Sequence, residues 1–418
     1  MRLQPFLLCF FSFFGLILIN FETSKSDTNA QIAQARPPCY CPDTLALHPL
    51  AATDVAQEIG AAQKAEAINA IFERRYQNGV FNGAVLVAQE GVIIYNKAFG
   101  KQDFESMADN NVFSKFQLAS VSKTFTAAAI LMLYEQKKLD LNDVVQKYFA
   151  DFPYSGVLIK DLLSHRSGIP NYIYAFNDSV RPNRPRPTNA DVMRWLGSVQ
   201  PRADRLPDTH FAYNNSNYMV LAAIVEKISG LPFDVFLRKN IFLPLGMRNS
   251  FVATTQNDSI NRNRTFGYTG SKQIPTDYWD NVAGDKGVYS TTNDMYIWYK
   301  ALNSNCLLKK ETLTMAFEPR SFEQNGTRNY GYGFRLKSQA NGEKFIYHNG
   351  WWKGYNACFG FSPEQNYVVI VLSNRLSRSV YDINPIINIL TGTTQNATET
   401  NPQNPEYPIE MSEGLGMD

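Results

Sequence analysis

Residues 120–136 read SVSKTFTAAAILMLYEQ, an apolar run at helical spacing opened by Ser120-Val121-Ser122-Lys123, the only Ser-x-x-Lys in the chain. Residues three apart lie on one helical face, so the Ser120 hydroxyl and the Lys123 amine come within hydrogen-bonding reach. A serine hydroxyl is a poor nucleophile until a base takes its proton, and a lysine serves as that base when its surroundings keep it neutral. The start of a helix adds free backbone N–H groups and the positive end of a dipole, both suited to an oxyanion. The same tetrapeptide also arises where a Ser merely caps a helix and the Lys points to water. The rest of the chain has to decide between the two.

On the N-terminal side, apolar residues recur at helical spacing from Val55 to Tyr76 and stop at Asn78-Gly79. Residues 84–88 and 92–95 are strand-like and meet across Gln89-Glu90-Gly91, which predicts a hairpin. Residues 140–310 read mostly as helix and loop, with a Pro- and Arg-rich loop at 179–187. Further on, 330–336, 344–348, 357–361 and 367–372 read as strands, and 382–390 as a closing helix. Strands at both ends with helices between them predict an α+β fold: an antiparallel sheet built from the N- and C-terminal segments, flanked by helices, with a mostly helical subdomain inserted. A cleft between the two parts is the natural place for a site.

The termini read differently. Arg2 is followed by the apolar run from Pro5 to Phe21 and a polar stretch from Glu22 to Asn29. That order predicts an export signal over 1–26, although the run also reaches the lower limit for an uncleaved anchor. Residues 27–53 read as a linker, 54–392 as the folded domain and 393–418 as a polar disordered tail. The expected location is periplasmic or extracellular. Without Cys9, four cysteines remain (Cys39, Cys41, Cys306 and Cys358), an even number that permits disulfides whose pairing is open.

Composition narrows the chemistry. A net charge of +2 without a long basic stretch gives nucleic acid little support as a partner. The chain has only four His, at 48, 165, 210 and 348, and no His-Glu-x-x-His. Cys39-Tyr40-Cys41 with His48 matches no common zinc spacing, so neither metal nor other cofactor is expected. Nor does Gly-x-Ser-x-Gly occur, which removes the nucleophile elbow of another hydrolase scaffold.

Two further motifs follow Ser120-x-x-Lys123 in order: Tyr213-Asn214-Asn215 just before a helix, and His348-Asn349-Gly350 on a strand near the C-terminal end. Together the three resemble the Ser-x-x-Lys, Tyr-x-Asn and Lys-Thr-Gly (or His-x-Gly) elements of the penicillin-binding-protein and serine β-lactamase superfamily. Leu162-Leu163-Ser164-His165-Arg166-Ser167-Gly168, Ala283-Gly284 with Tyr289-Ser290-Thr291, and Tyr330-Gly331-Tyr332-Gly333 are similar to segments of its class C β-lactamase, D,D-peptidase and esterase group. The likeness spans roughly 60 to 392, with every element in order.

The resemblance implies a β-lactamase/transpeptidase-like fold and a Ser acyl-enzyme acting on an ester, amide or peptide. In that reading Ser120 attacks the carbonyl, and Lys123 and Tyr213 share proton transfer, with Tyr213 near the leaving group. Asn215 hydrogen-bonds the substrate or Lys123, and His348 supplies the polar or cationic contact of the third motif. Gly350 and Trp351 border the substrate, and the N–H groups of Ser120 and Trp351 form the oxyanion hole. His at the third motif speaks for a D,D-peptidase or esterase rather than an efficient β-lactamase, and bulky Trp351 for a narrow acyl pocket. The implied partner is a small-molecule or peptide substrate, cell-wall derived or otherwise, with no stable protein partner. Each assignment has a plainer counterpart: Tyr213 as cleft packing, Asn215 as an N-cap, His348 as a satisfied strand residue, and His165 as a loop-holding residue. The rival for the whole chain is a non-catalytic penicillin-binding or peptidoglycan-sensing protein that retains the fold.

Overall fold

The hairpin forms as its sequence predicts: β1 (Gly83–Gln89) and β2 (Val92–Phe99) pair antiparallel, turned by Glu90 and Gly91 at φ 49° and 76°. Only the left-handed region makes so tight a reversal, which is why Gly91 sits there. The computed structural model describes residues 49–176, 185–254, 263–323, 328–338 and 342–393. The leader, most of the linker, most of the Pro- and Arg-rich loop and the tail from 394 lie outside the described residues.

Two short strands, β3 (Phe116–Gln117) and β4 (Phe251–Val252), flank β7 (Val288–Ser290) in a small sheet of order β3-β7-β4. A second ribbon pairs β5 (Tyr268–Thr269) with β6 (Lys272–Gln273). The C-terminal strands are β8 (Arg328–Tyr330), β9 (Arg335–Ser338), β10 (Lys344–Trp352), β11 (Tyr355–Ser362) and β12 (Tyr367–Ser373). They join the hairpin in one seven-stranded antiparallel sheet of order β2-β1-β12-β11-β10-β9-β8. The junction is the β1–β12 ladder, in register from Gly83↔Ser373 to Gln89↔Tyr367. The expected sheet from both chain ends is therefore present.

Helices cover both faces. α1 (Pro49–Glu58) and α2 (Ala61–Gln77) precede the hairpin, and α12 (Asn384–Thr391) closes the body. Phe72 of α2 and Ile386 of α12 pack with Val85, Val87, Val369 and Val371 on one sheet face. The opposite face, with Ala84, Leu86, Phe359 and Ile370, meets α3 (Ser122–Glu135) and the helices inserted after it. These are α4 (Ile159–Leu163), α5 (Tyr172–Ala175), α6 (Asn189–Val199), α7 (Asn215–Ser229), α8 (Phe233–Leu237), α9 (Leu243–Leu245), α10 (Thr292–Leu302) and α11 (Lys310–Ala316). Burial on both faces explains why the central strands read as apolar runs. In α3, Phe125 and Leu131 are buried, each such side chain contributing about 1.5–3 kcal/mol, and Phe125 stacks on Trp298 at 4.2 Å. Among the described residues no helix is long and apolar enough to cross a membrane.

Three sequence expectations are corrected. The single helix over 55–76 is broken at Gly60, which adopts φ 64° between α1 and α2. The strand over 330–336 is two strands, because the chain turns at Gly333 (φ 85°), where a Cβ would meet the Ala127 Cβ of α3 at 2.4 Å. The helix over 382–390 starts at Asn384, after a 3-10 turn over Arg378–Tyr381.

Candidate active site

Ser120 does not cap α3. It sits in a 3-10 turn, Ala119–Val121, and the residue before it, Ala119, holds φ 48°. A left-handed alanine is a strained backbone that its surroundings must hold. Gly350 of β10 supplies part of that hold: a Cβ there would lie 2.2 Å from the Leu118 carbonyl oxygen and 3.1 Å from the Ser120 nitrogen. The glycine is needed because the strand passes against the nucleophile turn and leaves the Ser120 N–H clear.

Lys123 is fully buried on the first turn of α3, with its Nζ 3.0 Å from Ser120 Oγ. Two oxygens from distant segments accept from that nitrogen: Asn215 Oδ1 at 2.7 Å and the Asp285 carbonyl at 2.9 Å. The helix-cap role falls instead to Asn214, whose side chain accepts from the Ser216 N–H. Tyr213, half-buried, lays its ring 4.9 Å from Lys123 Nζ and 6.2 Å from the His348 ring. Serine, lysine, phenol, amide and imidazole from three motifs thus converge.

Below Tyr213 runs a buried chain of hydrogen bonds. His165 Nδ1 accepts from the Asn214 backbone N–H at 3.1 Å, so the proton of this imidazole lies on Nε2 and faces Tyr330 Oη at 3.2 Å. The Tyr330 hydroxyl in turn donates to His348 Nε2 at 3.1 Å, and His348 Nδ1 donates to the Asn349 carbonyl at 2.7 Å. Burial, with Lys123 and Arg335 adding like charge, holds both imidazoles well below the usual histidine range. Burial likewise drives the Tyr330 phenol well above the usual tyrosine range. His348 is therefore a fully buried, neutral link, which leaves the polar and not the cationic form of the contact its motif implies. A cation does stand beside Tyr213, from a residue no motif marks: the half-buried Arg335 guanidinium lies 5.0 Å over the Tyr213 ring.

Trp351 is also placed differently. Strand alternation sets it on the sheet face opposite His348 and Gly350, while Trp352 shares theirs. Trp352 packs over Lys286 Nζ at 4.9 Å and donates its indole N–H to Asp280 at 2.7 Å. The Trp351 side chain thus stands on the other face, and the indole on the nucleophile's side of the sheet is its neighbour, Trp352. Among the described residues, no group of three His, Cys, Asp or Glu is placed to hold a metal.

A family model described as Beta-lactamase matches residues 66–390, most of the chain. The chain belongs to the Beta-lactamase family. Within it, a penicillin-binding protein of Bacillus subtilis (strain 168) is 30% identical over 336 residues, covering 76% of this chain and 74% of that protein. Among solved structures, the octameric penicillin-binding protein homologue from Pyrococcus abyssi matches with TM-score 0.69 and 26% identity, over 78% of this chain and 77% of that one. The D-amino acid amidase from Ochrobactrum anthropi SV3 matches with TM-score 0.65 over 79% of this chain and 98% of that one; at 21% identity it speaks for the fold alone. The α+β, β-lactamase/transpeptidase-like architecture follows for this member of the Beta-lactamase family. The three motifs mark five of the converging residues, Ser120, Lys123, Tyr213, Asn215 and His348. Tyr330 and His165 lay in segments similar to the family's without an assigned chemistry, and Arg335, Asp285 and Lys286 carried no signal, since no spacing ties them to the nucleophile.

Proposed function

We propose that this Beta-lactamase family member is an exported serine hydrolase that cleaves an ester, amide or peptide through an acyl-Ser120 intermediate. The observation that carries the reading is the Lys123 nitrogen, buried and held by Asn215 and Asp285 at 3.0 Å from the Ser120 hydroxyl. Lys123 accepts the hydroxyl proton as Ser120 Oγ bonds to the substrate carbonyl carbon. The backbone N–H groups of Ser120 and Trp351 receive the developing oxyanion. Collapse expels the leaving group, which takes its proton by way of Tyr213, and water then releases the acid and restores the Ser120 hydroxyl.

Arg335 beside Tyr213 supports substrates with a carboxylate on the leaving-group side, since a guanidinium forms paired charge-assisted hydrogen bonds with that group. A neutral His348 supports D,D-peptidase or esterase chemistry over efficient β-lactam hydrolysis. Export is supported by the apolar leader over 1–26 and by the disulfide at Cys306, a bond that persists in oxidising compartments. Cell-wall peptides are therefore the first substrates to try.

Incubation with a fluorophosphonate and with a fluorescent penicillin tests the assignment. Label on the wild type and none on Ser120→Ala is the expected result; equal label on that variant rejects the nucleophile. Turnover of p-nitrophenyl esters and D-alanyl peptides then separates an enzyme from a protein that only traps acyl groups.

A further inference from the structure

Behind Lys123 lies a second polar cluster that the reaction above does not use. Asp285, Lys286 and Tyr172 are 1%, 3% and 0% exposed. Lys286 Nζ donates to Tyr172 Oη at 2.6 Å and pairs with Asp285 Oδ2 at 3.2 Å, and the Tyr172 hydroxyl donates to the same carboxylate oxygen at 2.9 Å. The Tyr172 and Trp352 rings flank the ammonium at 5.3 and 4.9 Å. A buried ion pair is a poor source of net stability, and apolar replacements of equal volume often do as well. Its presence here calls for another role.

Both oxygens that hold Lys123 are tied to this cluster. Asp285 contributes its carbonyl to Lys123 and its carboxylate to Lys286 and Tyr172. On the other side, the Tyr172 N–H donates to Ser216 Oγ at 2.7 Å, next to Asn215. The turn that carries Asp285 has little freedom elsewhere. Gly284 adopts φ 105°, where a Cβ would strike the Tyr218 carbonyl at 2.3 Å, and its own carbonyl accepts from Thr126 of α3 at 2.7 Å.

We propose that Asp285, Lys286 and Tyr172 are positioning residues for Lys123. Their pairing aims the Asp285 carbonyl and the start of α7 at the amine, so that its nitrogen is presented to Ser120, while their opposite charges cancel at that nitrogen. The proposal rests on Ser120 and Lys123 being the nucleophile and base. The other groups facing the cluster are Asp277, Asp280 and Lys353; those facing Lys123 are His165, Tyr213, Tyr218, His348 and Arg335.

The test is the rate of fluorophosphonate labelling at Ser120 against pH, on the full chain, with unfolding midpoints recorded alongside. In Lys286→Met a lone carboxylate is left near Lys123, and the acid limb moves up by roughly one pH unit; in Asp285→Asn a lone cation is left, and the limb moves down by about as much. The double variant D285N/K286M, neutral again and similar in volume, returns the limb to its wild-type position but labels about 10- to 100-fold more slowly, because the carbonyl is no longer aimed. Tyr172→Phe slows labelling in the same sense. Should the single variants fail to fold, the double variant and Tyr172→Phe decide the question by rate. Wild-type rates and pH profiles in both overturn the positioning role, while absence of label on the wild-type Ser120 overturns the hydrolase reading beneath it.

Discussion

Asn215 Oδ1 stands 2.7 Å from Lys123 Nζ, although the two residues are 92 positions apart in the chain. Its neighbour Asn214 caps α7 instead. The pair separates two roles that a single asparagine would confuse. Asn215→Ala is expected to slow acylation about 10- to 100-fold and, because the buried Lys123 amine loses an acceptor, to cost about 1–3 kcal/mol of stability. Asn214→Ala is expected to cost about 1 kcal/mol of stability. Reversed outcomes in labelling kinetics and thermal melts would assign the cap to Asn215.

Lys123→Ala is expected to lower acylation by about three powers of ten, because Ser120 loses the nitrogen 3.0 Å from its hydroxyl. Single-turnover labelling measures it directly. A wild-type rate would place the base elsewhere.

Gly350→Ala tests the contact between β10 and the nucleophile turn. The added Cβ would meet the Leu118 carbonyl at 2.2 Å, so the turn must shift. Expected are a loss of about 1–3 kcal/mol in stability and a fall of about 100-fold in kcat, with KM changed less. Steady-state kinetics with an ester substrate and a denaturant titration report the two effects.

His165 and His348 are buried and neutral, burial holding both imidazoles well below the usual histidine range. Once unfolded, each takes up a proton below about pH 6.5 that the folded chain refuses, so stability is full above that pH and falls as pH drops through it. Two such groups give a slope of about 2.7 kcal/mol per pH unit on the acid side, and His165→Gln is expected to remove about half of it. Urea unfolding at pH 5, 6 and 7 measures the slope; one unchanged in the variant would mean that His165 does not carry it.

Arg335→Ala is expected to lower kcat/KM about 10- to 100-fold for substrates with a leaving-group carboxylate and to leave neutral esters nearly untouched. An equal loss on both classes would make the guanidinium a support for Tyr213 rather than a contact for substrate.

The polypeptide's order of residues determined the sheet from both ends, the long buried helix and the three motifs, since hydrophobic period and local motif chemistry act over a few neighbouring residues. Ser120 and Lys123 could be paired from spacing alone because one helical turn enforces it. Only the tertiary structure decided which oxygens hold Lys123, that His348 is a neutral link near Tyr213, that Arg335 brings a cation beside Tyr213 and that Trp352, not Trp351, shares the sheet face of His348 and Gly350. Those relations depend on strand register, backbone turns and burial among segments far apart in the chain, and a one-residue change of face leaves no trace in local composition.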